Sequence, residues 1–203
     1  MIDCSHPYAQ LVSEAVQSVC ADMGVLCSRY RRPPGSHPAA NDVIAAGSPE
    51  QAAAAAAVLL KSLSPEQTVF LTTGTKDLAI YASCLPPDRL VPRVLPVVAS
   101  LERCQACGIR TDRIVAMQGP FDRALNEAMF RAFRAGVVIT KDGGSRGGFK
   151  EKIEAAQAVG AACIVVERPP DAAEQVPVYE QLDELISAVA TAYQVQATEE
   201  ISI

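Results

Sequence analysis

The chain has 203 residues, of which 49% are hydrophobic and 20% charged, so it can bury a core without metal or disulfide support. Its formal net charge of −5 argues against general nucleic-acid binding, so any anionic ligand would be held by local lysines and arginines. Seven cysteines, an odd number, occur without a signal peptide or a membrane-length apolar run. We therefore expect a cytoplasmic chain with reduced thiols and no membrane partner.

The first 63 residues predict short strands that alternate with helices. Strands are expected at residues 1–3, 25–30 and 43–46, and helices at residues 8–23 and 51–63. The second helix has the strongest signal, because Ser48 can cap it, Pro49 suits its first position, and six consecutive alanines follow. A three-residue strand at the start is expected only if another segment precedes it.

From residue 64 the alternation becomes regular, which predicts a domain boundary there and a second domain over residues 64–195. Strands are expected at residues 68–71, 89–98, 113–117, 137–140 and 162–166. Helices are expected at residues 77–84, 100–106, 122–135 and 179–193, with one more after the glycine loop described next. Pro92 and Pro96 predict an edge or a bend for their strand, and residues 196–203 resemble a polar tail. This alternation indicates an α/β fold with parallel sheets.

A glycine-rich junction follows the strand expected at residues 137–140, whose apolar run stops at Lys141. Its four glycines are Gly143, Gly144, Gly147 and Gly148. A strand, a glycine loop and a helix start direct backbone N–H groups at one point, which favours an anion, and Lys141 and Lys152 add positive charge. The spacing GGxxGG differs from the dinucleotide pattern GxGxxG, so a tight loop with solvated lysines is the alternative reading.

Four strand ends in the second domain lead into similar loops, at residues 72–76, 118–121, 141–148 and 168–170. The carboxyl ends of parallel strands lie at one edge of a sheet, where ligands bind. We therefore expect Lys76, Lys141 and Arg168 to converge on one anion-binding crevice. The alternative is that strand ends carry polar residues in any fold.

Other candidate sites have weaker signals. Cys104 and Cys107 have the spacing of a metal or redox motif, but no second pair accompanies them, and cysteines packed on one helix face fit the pattern better. His6 can cap the turn before the first helix, or it can act at a strand end. We expect no metal site and no Ser–His–Asp set.

Seven short motifs can be compared together along nearly the whole chain. They are residues 2–8, Arg29 with Arg32-Pro33, residues 72–76, Arg93 with Leu95-Pro96, residues 118–121 with Asn126, residues 140–152, and Arg168-Pro169. In this order they resemble the precorrin-6A reductase family of cobalamin biosynthesis.

The resemblance implies two Rossmann-like domains with a cleft between them and NADPH as the cofactor. It implies reduction of one double bond of a polycarboxylate tetrapyrrole, precorrin-6A or cobalt-precorrin-6A, to the 6B form. Members of the family begin with a strand and a Gly-Gly-Thr loop before the motif that starts here at Ile2. We therefore expect residues 1–63 to be the remnant of an incomplete N-terminal domain, followed by a complete C-terminal domain.

The resemblance also suggests roles for particular residues. The candidate cofactor contacts are Thr73, Gly74, Thr75, Gly119, Gly144, Gly147 and Gly148. The candidate substrate contacts are Lys76, Lys141, Arg168 and Arg93. The candidate catalytic residues are Lys141, Lys76 and His6, with Lys141 preferred as a proton donor and Tyr8 as a further candidate.

Two alternatives remain open at this stage. One is a truncated, non-catalytic or partner-dependent module that binds an anion or nucleotide. The other is an unrelated α/β protein that binds a nucleotide or sugar phosphate. A truncated first domain would expose strand edges and apolar surface, so we also expect a homo-oligomer that associates through residues 1–63.

Overall fold

The computed structural model describes residues 1–6, 8–31, 43–143, 147–167 and 176–200, with side chains described up to residue 192. The chain divides into two compact units. The smaller unit combines Met1–Pro33 with Pro169–Ile203, and the larger unit is Pro34–Arg168.

The described strands and helices alternate along the chain. The strands are β1 (Ile2–Asp3), β2 (Ser28–Tyr30), β3 (Val43–Ala46), β4 (Thr68–Leu71), β5 (Leu90–Val94), β6 (Val115–Ala116), β7 (Ala135–Lys141), β8 (Ala162–Val166) and β9 (Val178–Tyr179). The helices are α1 (Gln10–Asp22), α2 (Pro49–Leu60), α3 (Leu78–Cys84), α4 (Val98–Ala106), α5 (Arg123–Ala132), α6 (Phe149–Ala158) and α7 (Leu182–Glu200). No helix of the described residues is long and apolar enough to cross a membrane.

The smaller unit contains a parallel sheet of three strands in the order β1-β2-β9. Residues 1–3 therefore form part of a sheet, as expected, and the buried ion pair of Asp3 with Arg29 joins the first two strands. The strand β9 was not predicted, because its two residues stand where the helical pattern was expected to begin. The helix α7 continues to Glu200, so the expected polar tail is helical at residues 196–200, and residues 201–203 lie outside the described part.

The larger unit contains a parallel sheet of six strands in the order β3-β8-β7-β4-β5-β6. From β4 the chain steps outward through β5 to β6, and it then returns to the other side of β4 to form β7 and β8. The direction of winding thus reverses between β4 and β7. In open α/β sheets, ligands bind outside the carboxyl ends of the strands at such a reversal. The expected α/β fold with parallel sheets is confirmed.

The strand pairing differs from the boundary expected at residue 64. The strand β3 pairs with β8 from Val43 opposite Cys163 to Ala46 opposite Val166. The alanine-rich helix α2 buries Ala52, Ala53 and Ala56 against the same unit. Residues 43–63 therefore belong to the larger unit, and the C-terminal segment completes the smaller one. A pattern of alternating elements does not show which strands pair, so the sequence could not place this division.

The core of the larger unit lies on both faces of its sheet. All four residues of β4 are buried, as expected for a parallel strand covered on both faces. On one face, Phe70 contacts Phe130 of α5 edge to face, with ring centroids 4.9 Å apart. Pro92 and Pro96 predicted an edge or a bend for β5, and the edge alternative is wrong, because β5 lies between β4 and β6. Its neighbour β6 pairs only with Arg93 and Val94, so Pro92 lies outside that ladder.

Candidate functional site

The loop after β4 is attached to β7 where the winding reverses. The backbone N–H and the hydroxyl of Thr72 both donate hydrogen bonds to the Ile139 carbonyl, at 2.9 and 3.1 Å. Gly74 has a φ of 75°, a left-handed conformation that a side chain would strain. The loop is thus fixed at its start and turns sharply at the carboxyl edge of the sheet.

An ion pair joins the two strand ends at this edge. The Lys141 Nζ lies 2.6 Å from Asp77 Oδ2, and the two side chains are 16% and 14% exposed. Lys141 is the last residue of β7, and Asp77 precedes α3. Lys141, the preferred candidate proton donor, therefore lies at the reversal of the sheet. The convergence of Lys76, Lys141 and Arg168 on one crevice stays a prediction.

The other residues of the β4 loop differ in their surroundings. Thr73 is 8% exposed, and its buried Oγ1 has no hydrogen-bond partner in the part of the chain that the structure describes. The Thr75 hydroxyl accepts a hydrogen bond from Arg103 at 3.3 Å, and Lys76 is exposed. A buried hydroxyl without a partner requires an explanation, and a polar ligand at the sheet edge would supply one.

The glycine loop enters α6 through Gly148, which has a φ of 61°. Within the described ranges no side chain caps this helix. A Cβ on Gly147 would have no described atom within 4 Å, whereas one on Gly143 would lie 3.4 Å from the Gly147 Cα. Gly144, another candidate cofactor contact, lies outside the described residues.

Lys152 lies half-buried on the second turn of α6. Burial lowers its pKa to about 8, and repulsion from the Arg93 guanidinium adds to the effect, while Glu151 acts in the opposite direction. The Glu151 Oε2 is itself buried without a hydrogen-bond partner among the described residues. The start of α6 therefore carries a carboxylate oxygen without a hydrogen-bond partner among the described residues, next to a lysine whose charged form is disfavoured by burial.

Arg93, a candidate substrate contact, is 7% exposed and bonds within the protein. Its Nη1 donates a 2.8 Å hydrogen bond to Asn126 Oδ1, and its guanidinium lies 4.1 Å from the centre of the Phe121 ring. Burial lowers the Arg93 pKa to about 10. The Asn126 amide donates in turn to the carbonyls of Phe121 and Asp122, at 3.3 and 2.7 Å.

This set of contacts fixes the loop after β6 close to the glycine loop. A Cβ built on Gly148 would lie 3.5 Å from the Phe121 carbonyl oxygen. Gly119, a candidate cofactor contact, is exposed next to the Phe121 ring. Arg93 thus stabilises the loop after β6, which borders the carboxyl edge of the sheet.

His6 lies in the smaller unit, where it is exposed at the turn before α1. Its Nδ1 accepts a hydrogen bond from the Tyr8 N–H at 3.4 Å, and its carbonyl accepts one from the Ala9 N–H at 2.7 Å. These contacts match the capping alternative given above. Arg168 lies outside the described residues.

The cysteines are free thiols, with Cys104 buried in α4 and Cys107 at its end. Across the described ranges, no three His, Cys, Asp or Glu side chains are grouped so that they could hold a metal ion. A cavity of about 500 Å³ opens near the amino ends of β4, β6 and β7. It is lined by Pro65, Glu66, Asp112, Arg113, Ala132, Phe133 and Arg134. This cavity lies at the edge opposite the candidate site.

The sequence assigned no role to Asp77 or Phe121, although both flank predicted site residues. Asp77 could have been identified as a partner of Lys141 if the ends of β4 and β7 had been known to be adjacent, because the two residues carry opposite charges. That argument requires β4 and β7 to be neighbours, and they are separated in the chain by two other strands. Phe121 could not have been linked to Arg93 from sequence spacing.

Comparisons with known proteins bear on this arrangement. The family model described as Precorrin-6x reductase CbiJ/CobK matches residues 1–190. The chain is 39% identical over 173 residues to the cobalt-precorrin-6A reductase of Salmonella typhimurium, across 83% of this chain and 62% of that protein. It is 35% identical over 189 residues to the cobalt-precorrin-6A reductase of Methanothermobacter thermautotrophicus, across 93% of this chain and 61% of that protein. The chain therefore spans about three fifths of the length of these two relatives.

A solved structure has a similar fold. The protein described as CobK precorrin-6A reductase superposes with a TM-score of 0.69 at 22% identity, covering 94% of this chain and 71% of that structure. At this identity the likeness concerns the fold alone. The resemblance drawn from the loop motifs is confirmed by the family model, and the chain belongs to the precorrin-6x reductase family.

Proposed function

We propose that the chain serves in the NADPH-dependent reduction of one double bond of precorrin-6A, or of cobalt-precorrin-6A, to the 6B form. The observation that carries the proposal is the Lys141–Asp77 ion pair at the carboxyl edge, where β4 and β7 mark the reversal of the sheet. The names of the relatives at 39% and 35% identity supply the substrate class.

The residues at this edge fit a dinucleotide. Thr73 offers a buried hydroxyl that lacks a partner among the described residues, and Gly74 and Gly147 leave space where a Cβ would stand. A phosphate or ribose group could approach the backbone at both glycines. When bound, a reduced nicotinamide supplies a hydride.

The chain's own residues would then bind the substrate and move a proton. Lys76 is exposed on the β4 loop and suits a carboxylate of the tetrapyrrole through a charge-assisted hydrogen bond. Lys141 suits the role of proton donor, because its ammonium lies at the edge and is partly accessible. Reduction of a carbon–carbon double bond requires a hydride at one carbon and a proton at the other.

A fluorescence titration with NADPH tests the cofactor assignment, and the chain has no Trp whose emission would interfere. We expect saturable binding of NADPH without substrate. Thr73→Val should weaken it about two- to tenfold, since it removes one neutral hydrogen bond. Thr191→Val on α7, where the hydroxyl bonds only to its own helix among the described residues, is the matched control and should leave affinity unchanged. Failure of the unaltered chain to bind NADPH would refute the cofactor assignment.

A further inference from the structure

Asp77 occupies a position where an aspartate normally caps a helix. It directly precedes α3, and the side chain at such a position usually accepts a hydrogen bond from a backbone N–H of the first turn. In the described structure, the Asp77 side chain makes no capping bond of this kind. The carboxylate contacts the Lys141 ammonium at 2.6 Å.

A lysine side chain requires such a contact to be held in one place. Its four-carbon stem has several rotatable bonds and its ammonium can rotate, so an unrestrained lysine samples many positions. The Lys141 and Asp77 side chains are both mostly buried, and their contact is charge-assisted. Because the two residues belong to β7 and to the segment after β4, the contact fixes the ammonium at the strand reversal.

We infer that Asp77 is a positioning residue, which holds the Lys141 ammonium at the carboxyl edge for reaction with the tetrapyrrole. The inference rests on the proposed function. In the reduction, one carbon of the double bond would receive a hydride from the reduced nicotinamide, which would be oxidised, and the Lys141 ammonium would give its proton to the other carbon. Lys141 is left as the neutral amine and regains a proton from water, while Asp77 remains a carboxylate throughout.

Steady-state turnover of four variants tests the role of Asp77. The variants are Asp77→Asn, Asp77→Glu, Lys141→Ala and the double variant Asp77→Asn with Lys141→Ala. Asp77→Asn should lower kcat about ten- to a hundredfold with little change in KM, which is the range for loss of a charge-assisted contact. Asp77→Glu should restore part of the rate. The double variant should be no slower than Lys141→Ala, because Asp77 acts through Lys141.

Asp112→Asn is the matched control. Like Asp77, Asp112 forms an ion pair, in its case with Arg110 at 2.9 Å. It lies in the turn before β6, at the opposite edge of the sheet. Its loss should leave kcat unchanged. A kcat for Asp77→Asn equal to that of Asp112→Asn, or effects of Asp77→Asn and Lys141→Ala that simply multiply, would overturn the inference.

A second measurement decides the question without turnover. The rate of acetylation of Lys141 in the folded chain is measured by peptide mass spectrometry, with exposed Lys61 in the same sample as the reference. Asp77→Asn should raise the Lys141 rate several-fold and leave Lys61 unchanged, because a lysine held by a carboxylate reacts slowly with acylating reagents. An unchanged Lys141 rate would overturn the inference. If the unaltered chain neither binds NADPH nor reduces precorrin-6A, the proposed function fails, and these rates still decide whether Asp77 positions Lys141.

Discussion

Burial of the charged Lys152 side chain destabilises the folded chain by an amount that depends on pH. Its pKa falls from 10.5 to about 8 through burial and through repulsion by Arg93. Below about pH 8 the lysine is charged in both states, and the folded chain bears the full cost of burying that charge. Between pH 8 and 10.5 the folded chain has released the proton while the unfolded chain still holds it. The free energy of unfolding therefore rises with pH across this window, and above it the cost is gone.

Replacing Lys152 with Met should remove this dependence. We expect Lys152→Met to be more stable than the unaltered chain at pH 7, and the difference to shrink as the pH rises from about 8 to 10.5. Urea unfolding at a series of pH values measures it. Lys150→Met, on the exposed face of the same helix, is the control. A difference between Lys152→Met and unaltered protein that stays constant with pH would contradict this interpretation of the pKa.

At the scale of residues, the sequence predicted that an apolar strand stops before Lys141, one residue short of the observed end of β7, and that the loops are cationic. It also named Thr73 and Gly74, both of which lie at the carboxyl edge. It could not show that the Lys141 ammonium has a carboxylate partner, because that contact joins residues 64 positions apart. It likewise could not show that Arg93 is buried, since an arginine on a strand is exposed in most folds.

Among the elements, the loop after β6 depends on a buried hydrogen-bond network. Asn126 on α5 accepts from Arg93 on β5 and donates to the carbonyls of Phe121 and Asp122. The network joins β5, this loop and α5 beside the start of α6. Through this network, the buried Arg93 and Asn126 side chains fix the position of a loop at the candidate site.

Removal of the Asn126 side chain should therefore destabilise the chain. We expect Asn126→Ala to lower the free energy of unfolding by about 2–3 kcal/mol, because it leaves the Arg93 charge buried without this partner. Adding Arg93→Met should cost less than Arg93→Met does alone, since the charge is already unsatisfied. Urea unfolding of the two single variants and the double variant measures the coupling. Strictly additive effects would show that the two residues act independently.

Most element positions could be predicted from local patterns, and the errors have local causes. Ser48 caps α2 as expected, by accepting from the Gln51 N–H at 3.2 Å. The helix α5 was expected to continue to residue 135 and stop at Gly136, but it ends at Ala132, and Arg134 adopts a positive φ of 50°. Gly136 lies in β7, where a Cβ would come within 2.6 Å of the Leu63 side chain. Gly136 is therefore required by close packing against Leu63 and does not end the helix, and this packing cannot be read from the sequence.

For the whole molecule, the class of fold followed from the alternation of elements, and the division into units did not. The sheet of the larger unit includes β3, and the smaller unit draws on both ends of the chain. These pairings join residues far apart in sequence, so no local pattern specifies them. In the smaller unit, Leu11 and Met23 near α1 are 77% and 70% exposed. Self-association through residues 1–63 stays a prediction.

The proposed reductase site at the carboxyl edge is tested most directly by comparing two lysine variants. The measurement is NADPH-dependent conversion of precorrin-6A or cobalt-precorrin-6A by the unaltered chain, Lys141→Ala and Lys61→Ala. Lys61 lies at the end of α2 outside every motif, and it is exposed. We expect Lys141→Ala to lose about ten- to a hundredfold in kcat/KM, the range for a charge-assisted contact, while Lys61→Ala loses almost nothing. Equal rates for the two variants in an otherwise active chain would contradict the placement of the site between β4 and β7.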